Sequence, residues 1–297
     1  MTNKWLKVAL MVTAIATGTS INIDAETVLY VPQDDRPVSL QYTVDTAREA
    51  GMTVLTPPQH LISGKTYQGQ ADQIMAWVEQ NAGRADVMVL STDTLIYGGL
   101  VDSRKHNIPL STLQNRLKRI EGLKARNKNV RIYGFGTVMR SPRASGGGTE
   151  PAYYAEYGPT IFQIAALQDK LDSGSLTQEE TQKLMSLQAS VPVEYLQDWF
   201  DRRQKNMKIN KELIDETRSG VFDYFALGHD DTSQLSQSAL EGRYLNKYSK
   251  DISAEKYGSF PGADQLGLLL MARSRTDMST EKPTFSVIYP LGGGGKT

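Results

Sequence analysis

From residue 27 onward, short β-branched or aromatic runs alternate with longer stretches of helical period. The runs at 27–31, 53–55, 86–90, 130–138, 222–227 and 285–289, with a short one ending at Phe260, read as strands. Between them, 42–50, 71–82, 110–127, 234–248 and 263–273 read as helices; within 71–82, Ile74, Trp77 and Val78 share one face. The 86–90 run is almost continuously apolar, as in a strand buried on both faces. Such alternation builds a parallel sheet wrapped by helices, an α/β fold that is either a (β/α) barrel or an open, doubly wound, Rossmann-like sheet. The barrel-like arrangement is favoured, because acids occur at many strand ends rather than at one switch point. The helical block at 155–220, broken near Gly174 and Pro192, is read as an insertion, since a direct crossover needs only roughly a dozen residues.

The N-terminus reads as a secretory signal peptide. Lys4 and Lys7 precede the apolar run 8–16, and small and polar residues follow to Ala25. That run is shorter than the roughly 20 residues a membrane span needs, so export without a stable membrane anchor is expected. Residues 1–25 are then the signal, and 26–297 the α/β domain with its insertion. The 33 basic and 33 acidic side chains balance, and losing Lys4, Lys7 and Asp24 leaves the chain within one charge of neutrality. A nucleic-acid partner, which calls for a basic excess, is excluded on that ground. Cys is absent, which removes disulfides, thiolate metal sites and Cys nucleophiles.

In parallel α/β folds, ligands bind at the carboxyl ends of the strands. The first strand ends in Asp34-Asp35-Arg36. The third runs into Ser91-Thr92-Asp93 and then Tyr97-Gly98-Gly99. The fourth leads to Arg140, Glu150 and Tyr153-Tyr154, the fifth to His229-Asp230-Asp231, and the short strand before Pro261 to Asp264. Any one Asp here has a plain alternative as a helix N-cap or turn residue. Capping explains one acid per loop but not the Asp-Asp pairs, whose like charges raise one pKa and suit acid and base roles.

Glycoside hydrolysis needs such a pairing of a protonated carboxyl with an ionised one. Asp230 and Asp231 are the candidate catalytic acids. Asp34, Asp35, Arg36, Asp93, Tyr97, Arg140, Glu150, His229 and Asp264 are candidate substrate-binding residues. Tyr97, Tyr153, Tyr154 and Tyr157 offer flat faces for sugar rings, and Arg140 suits a sugar acid or phosphate. The expected partner is a carbohydrate or cell-wall substrate. An Asp-Asp pair also suits substrate-assisted hydrolysis, by analogy with N-acetylhexosaminidases. Two alternatives stay open: a non-catalytic carbohydrate- or cell-wall-binding protein, and a divalent-metal hydrolase using Asp34, Asp93, His229, Asp230 and Asp264. No HxH, HExxH or DxDxD spacing accompanies them, so no metal and no other cofactor is expected. The glycine run 292–295 with Lys296-Thr297 is an incomplete phosphate loop, with Pro290 where the pattern needs Gly, and nucleotide binding is rejected. No G-x-S-x-G elbow supports a Ser nucleophile.

Several of these blocks also resemble a bacterial family known as domain of unknown function 4127. They are 29–38 with its Pro32-Gln33-Asp34-Asp35-Arg36-Pro37 core, Ser91-Thr92-Asp93 with Tyr97-Gly98-Gly99-Leu100-Val101 and Ser103-Arg104, Met139-Arg140, 150–158, Gly228-His229-Asp230-Asp231, and Pro261-Gly262-Ala263-Asp264. The chain departs from the pattern at His229, where Gln is expected, and at Ser39, where Asn is expected. The resemblance implies an exported bacterial protein and an enzyme. It also implies a longer relative with a further α/β portion after the last strand, so this chain is expected to be incomplete at its C-terminus.

Overall fold

A computed structural model describes residues 26–144, 147–231, 233–279 and 284. The segment 1–25 read as a signal, the 285–289 run read as a strand and the glycine run lie outside the described residues. Six parallel strands form one sheet in the order β2-β1-β3-β4-β5-β6: β1 (Thr27–Val31), β2 (Thr53–Leu55), β3 (Val87–Ser91), β4 (Arg131–Val138), β5 (Tyr224–His229) and β6 (Tyr257–Pro261). The sheet is therefore the open, doubly wound alternative rather than a closed barrel. Its edges are a three-residue strand and a strand ending in proline, both poor templates for further pairing.

Alternation along each strand divides the interior into two layers. Val28 and Tyr30 face one side, where α1 (Gln41–Glu49) and the C-terminal α10 (Leu266–Met278) pack through Val44, Ala47, Leu270 and Met271. Leu29 and Val31 face the other. That side is covered by α2 (Ala71–Asn81), α5 (Leu110–Arg126), α8 (Val193–Ser219) and α9 (Gln237–Tyr248), through residues such as Ile74, Leu117, Leu213 and Leu245. Two short helices that the periodicity did not announce, α3 (Thr92–Tyr97) and α4 (Leu100–Lys105), follow β3. Ser91 caps the first by accepting from the Thr94 amide at 3.3 Å. Gly98, at φ 112°, ends it in the left-handed conformation that glycine adopts without penalty.

The insertion at 155–220 is only partly an excursion. α6 (Tyr154–Asp172), α7 (Gln178–Ala189) and the start of α8 enclose a separate cluster around Tyr154, Ile164, Leu184 and Trp199. The second half of α8 lies on the sheet through Ile209, Leu213 and Ile214, and it is the β4-to-β5 crossover helix itself. Among the described residues no helix is long and apolar enough to cross a membrane.

Candidate functional site

The strand order reverses between β1 and β3, which opens a crevice outside their carboxyl ends. A cleft of about 320 Å³ lies there, lined by Asp34, Arg36, Gly64, Lys65, Leu100, Val101, Arg104, Arg140, Thr149, Asp230 and Asp264. α4 and the loops after β1, β2, β4, β5 and β6 all contribute, so one crevice collects acids from many strand ends without a barrel.

Its charges are tied into two groups. On one side Arg36 bonds Asp34 (Nε to Oδ2, 2.8 Å) and Asp264 (Nη2 to Oδ1, 2.8 Å). Asp264 is thus an ion-pair partner rather than a helix cap; α10 has no side-chain cap. On the other side Arg104 donates to Asp230 Oδ2 at 2.5 Å. Arg140 donates from Nε to Glu150 Oε1 at 2.7 Å and from Nη2 to Thr149 Oγ1 at 2.7 Å. Glu150 is itself buried and acts as the clamp behind Arg140 rather than as a cleft wall. Burial, with the like charge of Arg140 adding to it, draws the Arg104 guanidinium below its ordinary pKa against the opposing pull of Asp230.

Asp93 lies buried on the first turn of α3, accepting from Thr137 Oγ1 at 2.7 Å. Burial, with the nearby charge of Asp230, pushes its carboxyl up to about 7 against the opposing hydrogen bonds of Thr137 and the charge of Arg104. It is therefore an acid under the cleft that holds a proton near neutrality.

Other expected members are placed elsewhere. Successive side chains beyond β5 alternate in direction, so His229 and Asp231 share a separate hollow with Ser259 while Asp230 alone faces the cleft. His229 Nε2 is 2.7 Å from Ser259 Oγ, and burial lowers its pKa. Asp231 accepts from the amides of Ser233 (2.9 Å) and Ser141 (3.3 Å), a turn role that ties β4 to β5. Asp35 accepts from the Tyr67 hydroxyl outside the cleft. Tyr97 is buried and stacks on His106 at 4.9 Å. Tyr153 and Tyr157 pack on Tyr195, and Tyr154 on Trp199. Among the described residues no aromatic ring lines the cleft: Tyr97 and Tyr154 form core, and Tyr153 and Tyr157 pack partly buried against it; sequence gives each tyrosine's identity but not the layer it enters. Of the five residues weighed as metal ligands, Asp34, Asp230 and Asp264 line the cleft, His229 lies in the neighbouring hollow and Asp93 is buried. Among the described residues no group of three or more His, Asp or Glu is arranged to hold a metal ion.

Arg104 and Lys65 were not singled out as site residues from sequence. For Arg104 the signal was present in the Ser103-Arg104 block after the Gly-Gly turn. Lys65 comes from a loop with no motif. That loop is seated against the turn: a Cβ on Gly99 would fall 1.8 Å from Ser63 Oγ, so only glycine admits this approach.

The family model described as Protein of unknown function (DUF4127) matches residues 28–297. No curated protein matches the chain.

Proposed function

The chain belongs to the DUF4127 family, whose function is unknown, and from its cleft we propose that it is an exported hydrolase acting on carbohydrate, with Asp230 as the reacting carboxylate. The observation that carries this reading is the position of Asp230: it enters the switch-point cleft from the end of β5, held by Arg104, while Asp264 and Asp34 enter from the ends of β6 and β1. Carboxylates on two sides of one polar crevice are what glycosidic cleavage requires, one protonating the leaving oxygen and the other serving as nucleophile or base. Asp264, half exposed and joined to Asp34 through Arg36, is the second carboxylate in this reading. Asp231, turned into the neighbouring hollow, positions the β4 and β5 loops.

The test is a screen of the folded protein on aryl glycosides and peptidoglycan fragments, with and without chelator. Wild type is expected to release product and Asp230→Asn to lose about 10²- to 10⁴-fold in kcat while still binding. Binding without turnover by wild type would instead make this a carbohydrate-binding protein. Loss to chelator with rescue by added divalent metal would make it a metallohydrolase.

A further inference from the structure

Three cations, Lys65, Arg104 and Arg140, line the cleft together with Asp230. Arg104 is almost fully buried, and its Nη2 engages Asp230. Its Nε is also buried and has no hydrogen-bond partner. Arg140 is held from behind by Glu150 and Thr149, which fixes the plane of its guanidinium. Lys65 lines the same space and forms no ion pair among the described residues. Arg36, the fourth cation, is already shared between Asp34 and Asp264 on the opposite side.

The Arg104 and Arg140 guanidiniums repel each other in a partly desolvated crevice, and each already carries one carboxylate, Asp230 and Glu150, so the charge of Lys65 is the one in excess. Their planar N–H forks also match oxyanions that carry two or more oxygens. This one-charge surplus lines the same cleft as Asp230, the carboxylate proposed to react.

We propose that Arg104, Arg140 and Lys65 form an anchor for a carboxylate or phosphate borne by the substrate, so that the sugar processed here is an acidic one. The sugar part of this statement rests on the hydrolase reading above; the anchor does not.

The test is calorimetric titration of the full chain at low salt with glucuronate, glucose 6-phosphate, inorganic phosphate and glucose. At least one anionic sugar is expected to bind roughly tenfold or more tighter than glucose, with affinity falling as salt rises. Preference for glucuronate assigns a carboxylate and preference for glucose 6-phosphate a phosphate. Inorganic phosphate binding as tightly as either supports the anchor alone. Arg140→Gln and Lys65→Ala are each expected to weaken anion binding about tenfold. If Arg140→Gln does not fold because Glu150 loses its ion pair with Arg140, the exposed Lys65→Ala decides. Equal affinity for glucose and the anions, no anion binding, or anion binding untouched by Lys65→Ala would overturn the anchor. Anion binding without hydrolysis of any glycoside keeps the anchor and removes only the hydrolase reading.

Discussion

Two buried groups give this chain opposing pH dependences. Asp93 stays protonated in the fold up to about pH 7, whereas an unfolded Asp ionises near about 3.9. Between those values the fold retains a proton that the unfolded chain has lost, so stability falls as pH rises, by on the order of 4 kcal/mol across the window. His106 works the other way. It donates Nε2–H to Asn206 Oδ1 at 2.7 Å and accepts the Ile108 amide at Nδ1 (3.3 Å), which specifies the neutral ring. Burial lowers its pKa to about 4, so stability rises with pH between about 4 and 6.5. Asp93→Asn keeps an acceptor for Thr137 and removes only the first dependence. Urea unfolding at pH 5 and pH 8 should show wild type losing about 3 kcal/mol relative to the variant on going to the higher pH; parallel behaviour of the two proteins would refute the buried proton. The sequence exposed Asp93 as a strand-end acid and Asp230-Asp231 as a pair. It did not reveal that Asp93 is buried or that the pair is split, because those depend on which way each side chain turns where the strand ends.

Strands and long helices were legible because periodicity and Gly/Pro punctuation are local signals. The barrel preference and the detached insertion were not, because each is settled by which elements pack together. α8 shows why. It reads as a polar, charged helix, yet Arg203 on it is buried. Arg203 donates to Glu241 of α9 through Nε (2.8 Å) and Nη2 (2.7 Å), and to the carbonyls of Met139 (2.6 Å) and Arg140 (2.9 Å) just beyond β4. One side chain thus fastens two helices to the strand end from which Arg140 enters the cleft. Arg203→Met leaves the Glu241 charge without its cation and the Arg140 carbonyl without this donor, while Met139 keeps Ser238, and should cost about 3–5 kcal/mol by denaturant midpoint. Adding Glu241→Leu should recover part of that loss, since a buried pair replaced as a unit is far less costly than one broken. Full additivity of the two substitutions would show that the pair is not coupled.

At the scale of the whole molecule, the open sheet and the barrel differ in a measurable way. A barrel has no edges, so all its strands would resist opening alike. In the order β2-β1-β3-β4-β5-β6, four strands are paired on both sides and two on one side only. β1, β3, β4 and β5 are nearly all buried, and layers cover both faces. The α6–α7 hairpin packs away from the sheet, and in α7 only Leu184 is buried. Amide exchange follows local opening, which few buried contacts make easy. Peptides from β1, β3, β4 and β5 should therefore exchange most slowly, those from β2 and β6 earlier, and those from α7 earliest among the helices. Asp230 and Arg140 extend from β5 and β4, and Asp34 and Arg36 from β1, so the cleft should keep its geometry while α7 opens. Saturating anion should slow exchange around Lys65 and α4 and leave α7 unchanged, because binding protects only what must open to release it. Uniform protection across all six strands would contradict the open sheet, and α7 protected as well as β4 would contradict its separation from the core.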